Sequence, residues 1–300
     1  MYYFTSELHS LPDEISWSFK DHLRYPWKWQ YEGNRAAGYY SRSYKLEGKK
    51  MTKIRLLLDT FFSNNNTLMI DNVQAIYNKA LTVSFINHWN TSLARYVNDH
   101  NQFYYRDYGN DVIKMNVMSE FEKKREKFPY SIPIPIPLLP VLHGTDLCIA
   151  EKIAKTGFAS LSSLDAGFFG KGIYFTTNIL YTLPYCLVKR NPTVILSYTN
   201  MGNVYPVTEK MDGMALKNGY NSHYVLTNKH GNIITLDDSY LCDEIVVNQE
   251  VQILPAFIIT LNHESCMKEL KNWERVIAEE KDRYTTVIIV KETDDNEIYL

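Results

Sequence analysis

Four prolines, Pro133, Pro135, Pro137 and Pro140, interrupt the most apolar stretch of the chain, which runs from Ile132 to Leu142. Proline has no backbone N–H to donate, so it disrupts both the interior of a helix and a central strand. The stretch is also too short to span a bilayer as a helix. The sequence therefore predicts a connector here, and the pattern of apolar residues changes on either side of it.

The part before the connector has helical spacing. Between Met51 and Tyr104, apolar residues recur every three or four positions on both sides of a polar break at residues 63–66, and they are Ile54, Leu57, Leu58, Phe61, Ile70, Val73, Ile76, Leu81 and Phe85. This spacing predicts two helices joined by a polar loop. The charged segment from Ser119 to Lys127 predicts a further, largely solvated helix face.

The part after the connector is rich in short β-type runs. The predicted strands are Leu139–Leu142, Gly172–Thr176, Thr193–Thr199, Ile233–Leu236, Glu244–Val247 and Ala256–Leu261. Between the first two, Thr145 or Asp146 can cap a helix that Gly157 ends. Near the C-terminal end, the spacing predicts a helix with one apolar face, formed by Cys266, Leu270, Trp273 and Ile277, and then a strand from Thr285 to Val290.

Composition narrows the function classes. The chain has 300 residues, of which 45% are hydrophobic and 22% charged, as in a soluble globular protein. With 32 Lys and Arg against 34 Asp and Glu, the net charge of −2 does not indicate a nucleic-acid partner. Its four cysteines contain no C-x-x-C pair, which favours a reducing compartment, the cytoplasm or the nucleus, although delivery as a secreted effector also fits. His223 and His230 have no neighbouring cysteines, so no metal is predicted.

Three segments carry the residues that indicate chemistry. The first is Leu142–Thr145 (LHGT), the second is Phe169–Phe175 (FGKGIYF), and the third is Asp243–Val247, in which Glu244 lies eight residues before Gln252. The glycines of the second segment follow the order G-x-x-G-x-G, which is not the dinucleotide-binding order, and the chain has no P-loop motif. Each segment alone is common, but their joint order and spacing are specific.

In this order and spacing, the three segments resemble those of the poly(ADP-ribose) polymerase-type ADP-ribosyltransferases. Two further segments, Ile70–Phe85 and Tyr198–Asn203, are similar to that family's opening helix and to its central strand and turn. The resemblance covers roughly residues 50–261. It implies an α+β fold with a split antiparallel β-sheet core and flanking helices.

The resemblance also implies a domain division and a set of site residues. Residues 1–49, which include Trp27, Trp29 and Tyr31, would form an aromatic-rich appendage of unknown role, 50–262 the catalytic domain and 263–300 a helix–strand extension. The implied catalytic residues are Glu244, His143 and Tyr185. The implied NAD+-binding residues are His143, Gly144, Thr145, Tyr174, Phe175, Thr182 and Tyr185, of which Thr182 stands where the family has serine.

The function that the resemblance implies is transfer of ADP-ribose from NAD+ to a macromolecular acceptor, which we expect to be a protein. Nicotinamide is released, and no metal is required. Transfer of single units is slightly favoured, because no chain-binding module is evident in the sequence. Three alternatives stay open. They are an NAD+ glycohydrolase, a catalytically silent module that binds NAD+ or ADP-ribose, and transfer onto nucleic-acid ends.

Overall fold

A computed structural model describes residues 39–44, 57–62, 67–99, 106–128, 138–158, 167–187, 191–234 and 242–273, together with the single residues 101 and 136. Its strands are β1 (Tyr39–Tyr44), β2 (Ile70–Asn78), β3 (Leu138–Asp146), β4 (Ile173–Phe175), β5 (Pro192–Asn200), β6 (Val204–Val207), β7 (Ser222–Thr227), β8 (Cys242–Val247) and β9 (Ile253–Leu261). Its helices are α1 (Lys79–Asn98), α2 (Val112–Glu126), α3 (Leu147–Thr156) and α4 (Ile179–Cys186). Residues 57–62 and 263–273 are also helical.

The strands form two sheets. One has the order β1-β2-β9-β5-β3 and the other the order β4-β8-β7-β6. Every pairing between these strands is antiparallel except that of β6 with β7. A backbone bridge between Leu142 and Thr176 joins the edge strand β3 to the start of the second sheet. The predicted α+β fold with a split, mainly antiparallel sheet and flanking helices is confirmed.

The prediction of a helix from Ile70 onward is wrong for its first part. Ile70–Asn78 is strand β2, which lies between β1 and β9, and helix α1 begins only at Lys79. Ile70, Val73 and Ile76 fit a helical spacing, but β-branched residues also favour a strand, and here pairing on both edges decides the outcome. Asn78 then caps α1 by accepting a hydrogen bond from the Leu81 N–H.

Several other predicted elements are present. Helix α3 has Asp146 as its N-cap and Gly157 at its end, where a φ of 89° favours glycine. The predicted connector ends earlier than expected, because β3 begins at Leu138 and includes Pro140 on an edge strand, where proline is tolerated. Of the predicted strand Ile233–Leu236, the structure describes only an isolated bridge at Ile233.

The helix at residues 263–273 packs on the rest of the fold. Cys266 and Trp273 are buried and Leu270 is partly buried, as their shared face predicts. Ile277, the strand Thr285–Val290 and the aromatic residues Trp27, Trp29 and Tyr31 lie outside the described residues. Among the described residues, no helix combines the length and the apolar character needed to cross a membrane.

Candidate active site

His143 lies on the edge strand β3, with its ring held from two sides. Its Nδ1 lies 2.9 Å from the carbonyl oxygen of Tyr174, and because a carbonyl only accepts, Nδ1 carries the proton. The rings of Phe158 and Phe175 lie 5.2 and 5.7 Å from the imidazole, centroid to centroid. Burial lowers the pKa of His143, which favours the neutral ring. The neutral tautomer leaves Nε2 as a hydrogen-bond acceptor.

Gly144, the next residue on β3, allows helix α4 to approach closely. A Cβ at this position would lie only 2.6 Å from the backbone oxygen of Thr182, so any side chain would force the strand and the helix apart. The Thr182 hydroxyl is buried and donates to the carbonyl of Ile179 at 2.6 Å, which leaves it an acceptor for any other partner. The predicted residues Gly144 and Thr182 therefore lie together.

The hydrogen bonds of Leu142 show which edge of β3 the backbone N–H and C=O of Gly144 face. Both its N–H and its C=O bond to Thr176, at 2.8 and 3.0 Å, on the side of β3 away from β5. Since peptide groups along a strand alternate between its two edges, the N–H and C=O of Gly144 face the same side as those of Leu142. This edge of Gly144 can offer one donor and one acceptor to a flat amide.

Tyr174 lies on β4 and closes the glycine-rich turn that precedes it. Its hydroxyl donates to the carbonyl of Gly170 at 2.6 Å and accepts from the N–H of Phe169 at 3.0 Å. Its ring packs beside a second, smaller apolar cluster that includes Phe169 and Tyr205. The turn is thus tied directly to the tyrosine that follows it.

His223, on β7, holds the same turn from the other side. Its Nδ1–H donates to the carbonyl of Phe169 at 2.7 Å, and its Nε2 accepts from the N–H of Lys217 at 2.9 Å. Both ring nitrogens are therefore used, and burial lowers the pKa of the imidazole. This histidine has a structural role, and among the described residues no three His, Cys, Asp or Glu side chains group as metal ligands would.

Glu244, on β8, is only 8% exposed, and its Oε1 accepts a hydrogen bond from the hydroxyl of Tyr181. Burial raises the pKa of Glu244 to about 7, and the neighbouring Asp243 carboxylate adds to the rise, while the bond from Tyr181 opposes it. A carboxyl group with a pKa in this range is typical of sites that handle charge or protons.

Tyr185 and Tyr181 lie one turn apart on α4, with ring centroids 6.1 Å apart. Tyr185 is 59% exposed, which is unusual for a large aromatic side chain and leaves ring surface for a ligand to stack on. Burial of the hydroxyl and the Glu244 charge raise the pKa of Tyr185. Helix α4 therefore carries an open ring, and its Tyr181 contacts the carboxylate directly.

Asp243, beside Glu244, was not among the predicted site residues. Its carboxylate is fully buried and accepts from the Thr176 hydroxyl at 2.8 Å and from the N–H and hydroxyl of Thr177 at 2.6 and 2.5 Å. Lys124 of α2 lies 3.8 Å away. These bonds fix the turn between β4 and α4, and so the start of the helix that carries Tyr181, Thr182 and Tyr185.

The remaining predicted residues lie in the core around these groups. Thr145 is buried on β3 opposite Thr193, and Phe175 is buried behind His143. Gln252 is also buried, and its amide donates to the carbonyls of Asn200 and Asn221 at 3.0 Å each. The sequence reasoning missed Tyr181, although its position four residues before Tyr185 puts both on one face of a helix.

Comparison with known proteins gives one family. The family model of the poly(ADP-ribose) polymerase catalytic domain matches residues 109–262, which is just over half of the chain. A search of curated proteins finds no match. The matched range includes β3 to β9, and with them every residue of the candidate site.

Proposed function

From the premise that the chain belongs to the poly(ADP-ribose) polymerase catalytic-domain family, we propose that it transfers ADP-ribose from NAD+ to a protein acceptor and releases nicotinamide. Membership supports NAD+ as the substrate and ADP-ribosyl transfer as the reaction class. The acceptor, the number of units transferred and the role of each residue are part of the proposal.

One observation supports the proposal above the others. Helix α4 contacts both strands that carry the family-like motifs: Thr182 lies against Gly144 on β3, and Tyr181 bonds Glu244 on β8. These contacts bring the edge of Gly144, which suits a flat amide, and the Glu244 carboxylate, which suits a sugar hydroxyl, to the same helix.

In the proposed complex, the nicotinamide ring stacks on Tyr185, and Tyr174 forms the other wall of the slot. The carboxamide oxygen accepts from the N–H of Gly144, and the carboxamide NH2 donates to the C=O of Gly144 and to the Thr182 hydroxyl oxygen. Stacking of a cationic ring on tyrosine contributes about 0.5–2 kcal/mol to such binding. The neutral His143 accepts at Nε2 a hydrogen bond from a hydroxyl of the adenosine-side ribose, which orients NAD+.

In the proposed reaction, the bond between the ribose anomeric carbon and the nicotinamide nitrogen breaks, and nicotinamide leaves with the bonding electron pair. The positive charge that develops on the ribose is stabilised by the Glu244 carboxylate through the 2′-hydroxyl. The acceptor nucleophile then bonds to the anomeric carbon and loses its proton to water. Because the carboxylate supplies this stabilisation, nicotinamide release should continue in the presence of a chelator.

The test is to incubate the protein with NAD+ labelled in the adenosine part, with and without a cell lysate, and to follow nicotinamide and the label together. Label bound covalently to protein, in step with nicotinamide release, supports transfer. Free ADP-ribose as the product would instead identify a glycohydrolase. Binding of NAD+ without nicotinamide release would identify a catalytically silent binding module. Label on nucleic-acid ends would identify transfer onto nucleic acid.

The same experiment separates single from repeated transfer. If transfer stops after a single unit, as proposed, intact-mass analysis of a modified acceptor should show one ADP-ribose per modified site. A ladder of products on one site would show that this part of the proposal is wrong, while leaving the reaction class unchanged.

A further inference from the structure

We propose that Tyr181 is a positioning residue that orients Glu244 and stabilises its carboxylate form, so that the reaction turns on as the pH rises toward neutrality. This inference rests on the proposed function for its effect on catalysis. The contact itself, from the phenol hydroxyl to Glu244 Oε1, does not depend on that function.

The Tyr181 hydroxyl is a permanent donor. Burial and the adjacent Glu244 carboxylate raise the pKa of this phenol far above its usual range, so it keeps its proton at any pH at which the protein works. An ionised carboxylate offers both of its oxygens as hydrogen-bond acceptors. In a neutral carboxyl group, one oxygen carries a proton and accepts the hydrogen bond from Tyr181 less well. The contact therefore favours the ionised form of Glu244.

The ring of Tyr181 is held from behind. It is 4% exposed and packs in an apolar cluster with Cys242 and with Trp273 from the helix at residues 263–273. This packing holds the ring in one orientation and so fixes the direction of the hydroxyl. The ring of a solvent-exposed tyrosine would not be held in this way. The helix at residues 263–273 thus supports the carboxylate through Tyr181.

The loop after β7 covers the contact from another side. A Cβ on Gly231 would lie 3.0 Å from the Tyr181 hydroxyl and 3.6 Å from Glu244 Oε1. Lys229, in the same loop, donates to the backbone oxygen of Trp273 at 3.0 Å. The loop and the C-terminal helix are therefore linked to each other, and both lie against the Tyr181–Glu244 pair.

The charges around Glu244 explain why a neutral donor matters. In the part of the chain that the structure describes, the titratable groups on or against this part of β8 are Tyr181 and Tyr185 on α4, Asp243 and Cys242 on β8, Tyr224 on β7, Lys229 in the loop, and Lys124 and Lys127 at the end of α2. Lys124 approaches Asp243, and Lys229 bonds the Trp273 carbonyl. An uncharged phenol offsets only part of the cost of burial, which is why the pKa of Glu244 lies near 7 and not near its usual value.

The direct test is Tyr181→Phe, which keeps the packed ring and removes only the hydroxyl. The matched control is Tyr224→Phe, which removes a buried hydroxyl that donates to the neighbouring carboxylate of Asp243 at 3.4 Å. Nicotinamide release and NAD+ affinity are measured from pH 5 to 9, and thermal melting checks that both variants are folded. The acidic limb of the rate profile should move to higher pH by about one to two pH units in Tyr181→Phe.

NAD+ affinity should stay within about twofold in Tyr181→Phe, and the control should keep the rate profile of the unchanged protein. An acidic limb that stays in place, or moves to lower pH, would overturn the proposal. So would an equal shift in Tyr224→Phe, because the effect would then belong to the strand and not to the contact.

A second measurement separates this proposal from the enzymatic one. Infrared difference spectra recorded during a pH titration, with Glu244→Gln as the reference, follow the carboxyl group of Glu244 without any turnover. If the protein releases no nicotinamide, the proposed function fails, and the infrared midpoint still decides the role of Tyr181. A higher midpoint in Tyr181→Phe supports the role, and an unchanged or lower one overturns it.

Discussion

Two adjacent carboxylates on β8 have opposite surroundings. Asp243 is surrounded by donors, since Thr176 and Thr177 give it three hydrogen bonds and Lys124 lies within 4 Å. Among the described residues, one side chain donates a hydrogen bond to Glu244, the phenol of Tyr181. Because successive side chains of a strand point to opposite faces, one strand can present both environments only one residue apart.

This difference in surroundings suits the two carboxylates to different roles. A buried charge whose donors are complete holds its neighbours in place and has little left to offer a ligand. A buried charge with few donors costs stability, yet it interacts strongly with any positive charge that develops near it. We therefore expect the Asp243 face of β8 to govern folding and the Glu244 face to govern catalysis.

The largest effect should come from Glu244→Gln, which keeps the shape and removes the charge. ADP-ribosyl transfer should fall by about 10²- to 10³-fold, as when other preorganised electrostatic groups are removed, while NAD+ affinity changes little. Single-turnover nicotinamide release and calorimetric binding measure the two separately. Weaker binding with an unchanged rate would reassign Glu244 to substrate binding.

The next effect should come from Asp243→Asn. One carboxylate oxygen becomes an amide that cannot accept, and Lys124 loses its nearby negative charge, so the free energy of unfolding should fall by about 2 to 3 kcal/mol. Urea denaturation at constant pH measures it. If Asp243→Asn were as stable as the unchanged protein but inactive, the assignment of the two faces would be reversed.

A smaller effect concerns stability and pH. The pKa of Glu244 is about 7 in the folded protein and 4.5 in an unfolded chain, so the folded state binds the proton more tightly. Stability is therefore lost as the pH rises between these values, and the loss is complete above about pH 7. Glu244→Gln does not titrate, so at pH 8 its free energy of unfolding should be higher than that of the unchanged protein by about 2 kcal/mol, a figure reduced for the residual exposure of the group.

The control for that prediction is the same pair of proteins at about pH 3.5, one unit below the unfolded-state pKa, where Glu244 is mostly protonated in both states and the difference in stability between the two should be small. Urea denaturation at both pH values gives the comparison. A stability difference that is independent of pH would show that Glu244 ionises without cost in the folded protein.

The candidate site and the fold were predicted from different signals. The segments around His143, Tyr174 and Glu244 are each common alone, and their joint order and spacing indicated the site, whose residue roles stay a proposal. Strand β2 was missed because its apolar spacing fits a helix equally well, and only pairing with β1 and β9 decides between the two. Strand β7 was missed because Ser222–Thr227 mixes polar and apolar residues, although every residue in it is buried.

The partners of Glu244 and Asp243 could not be read from sequence. Tyr181 lies 63 residues from Glu244 along the chain, and Thr177 lies 66 residues from Asp243. Only the packing of α4 against β8 brings these groups together. The sequence indicates that a carboxylate is present, but the number of donors around it, which decides its role, comes from the tertiary structure.

The smallest effect should come from Tyr185→Ala, which tests whether the Glu244 face is open to a ligand. Loss of one stacking surface costs about 1 kcal/mol, so affinity for NAD+ and for benzamide, which shares its flat ring and carboxamide, should fall together by about fivefold. Tyr185→Phe is the matched control, because it keeps the ring and should keep most of the affinity. Since Tyr185 is 59% exposed, folding should be little affected by either change, which thermal melting can check. Unchanged affinity for both ligands in Tyr185→Ala would place the nicotinamide elsewhere, and the contrast between the two faces of β8 would then rest on Glu244 alone.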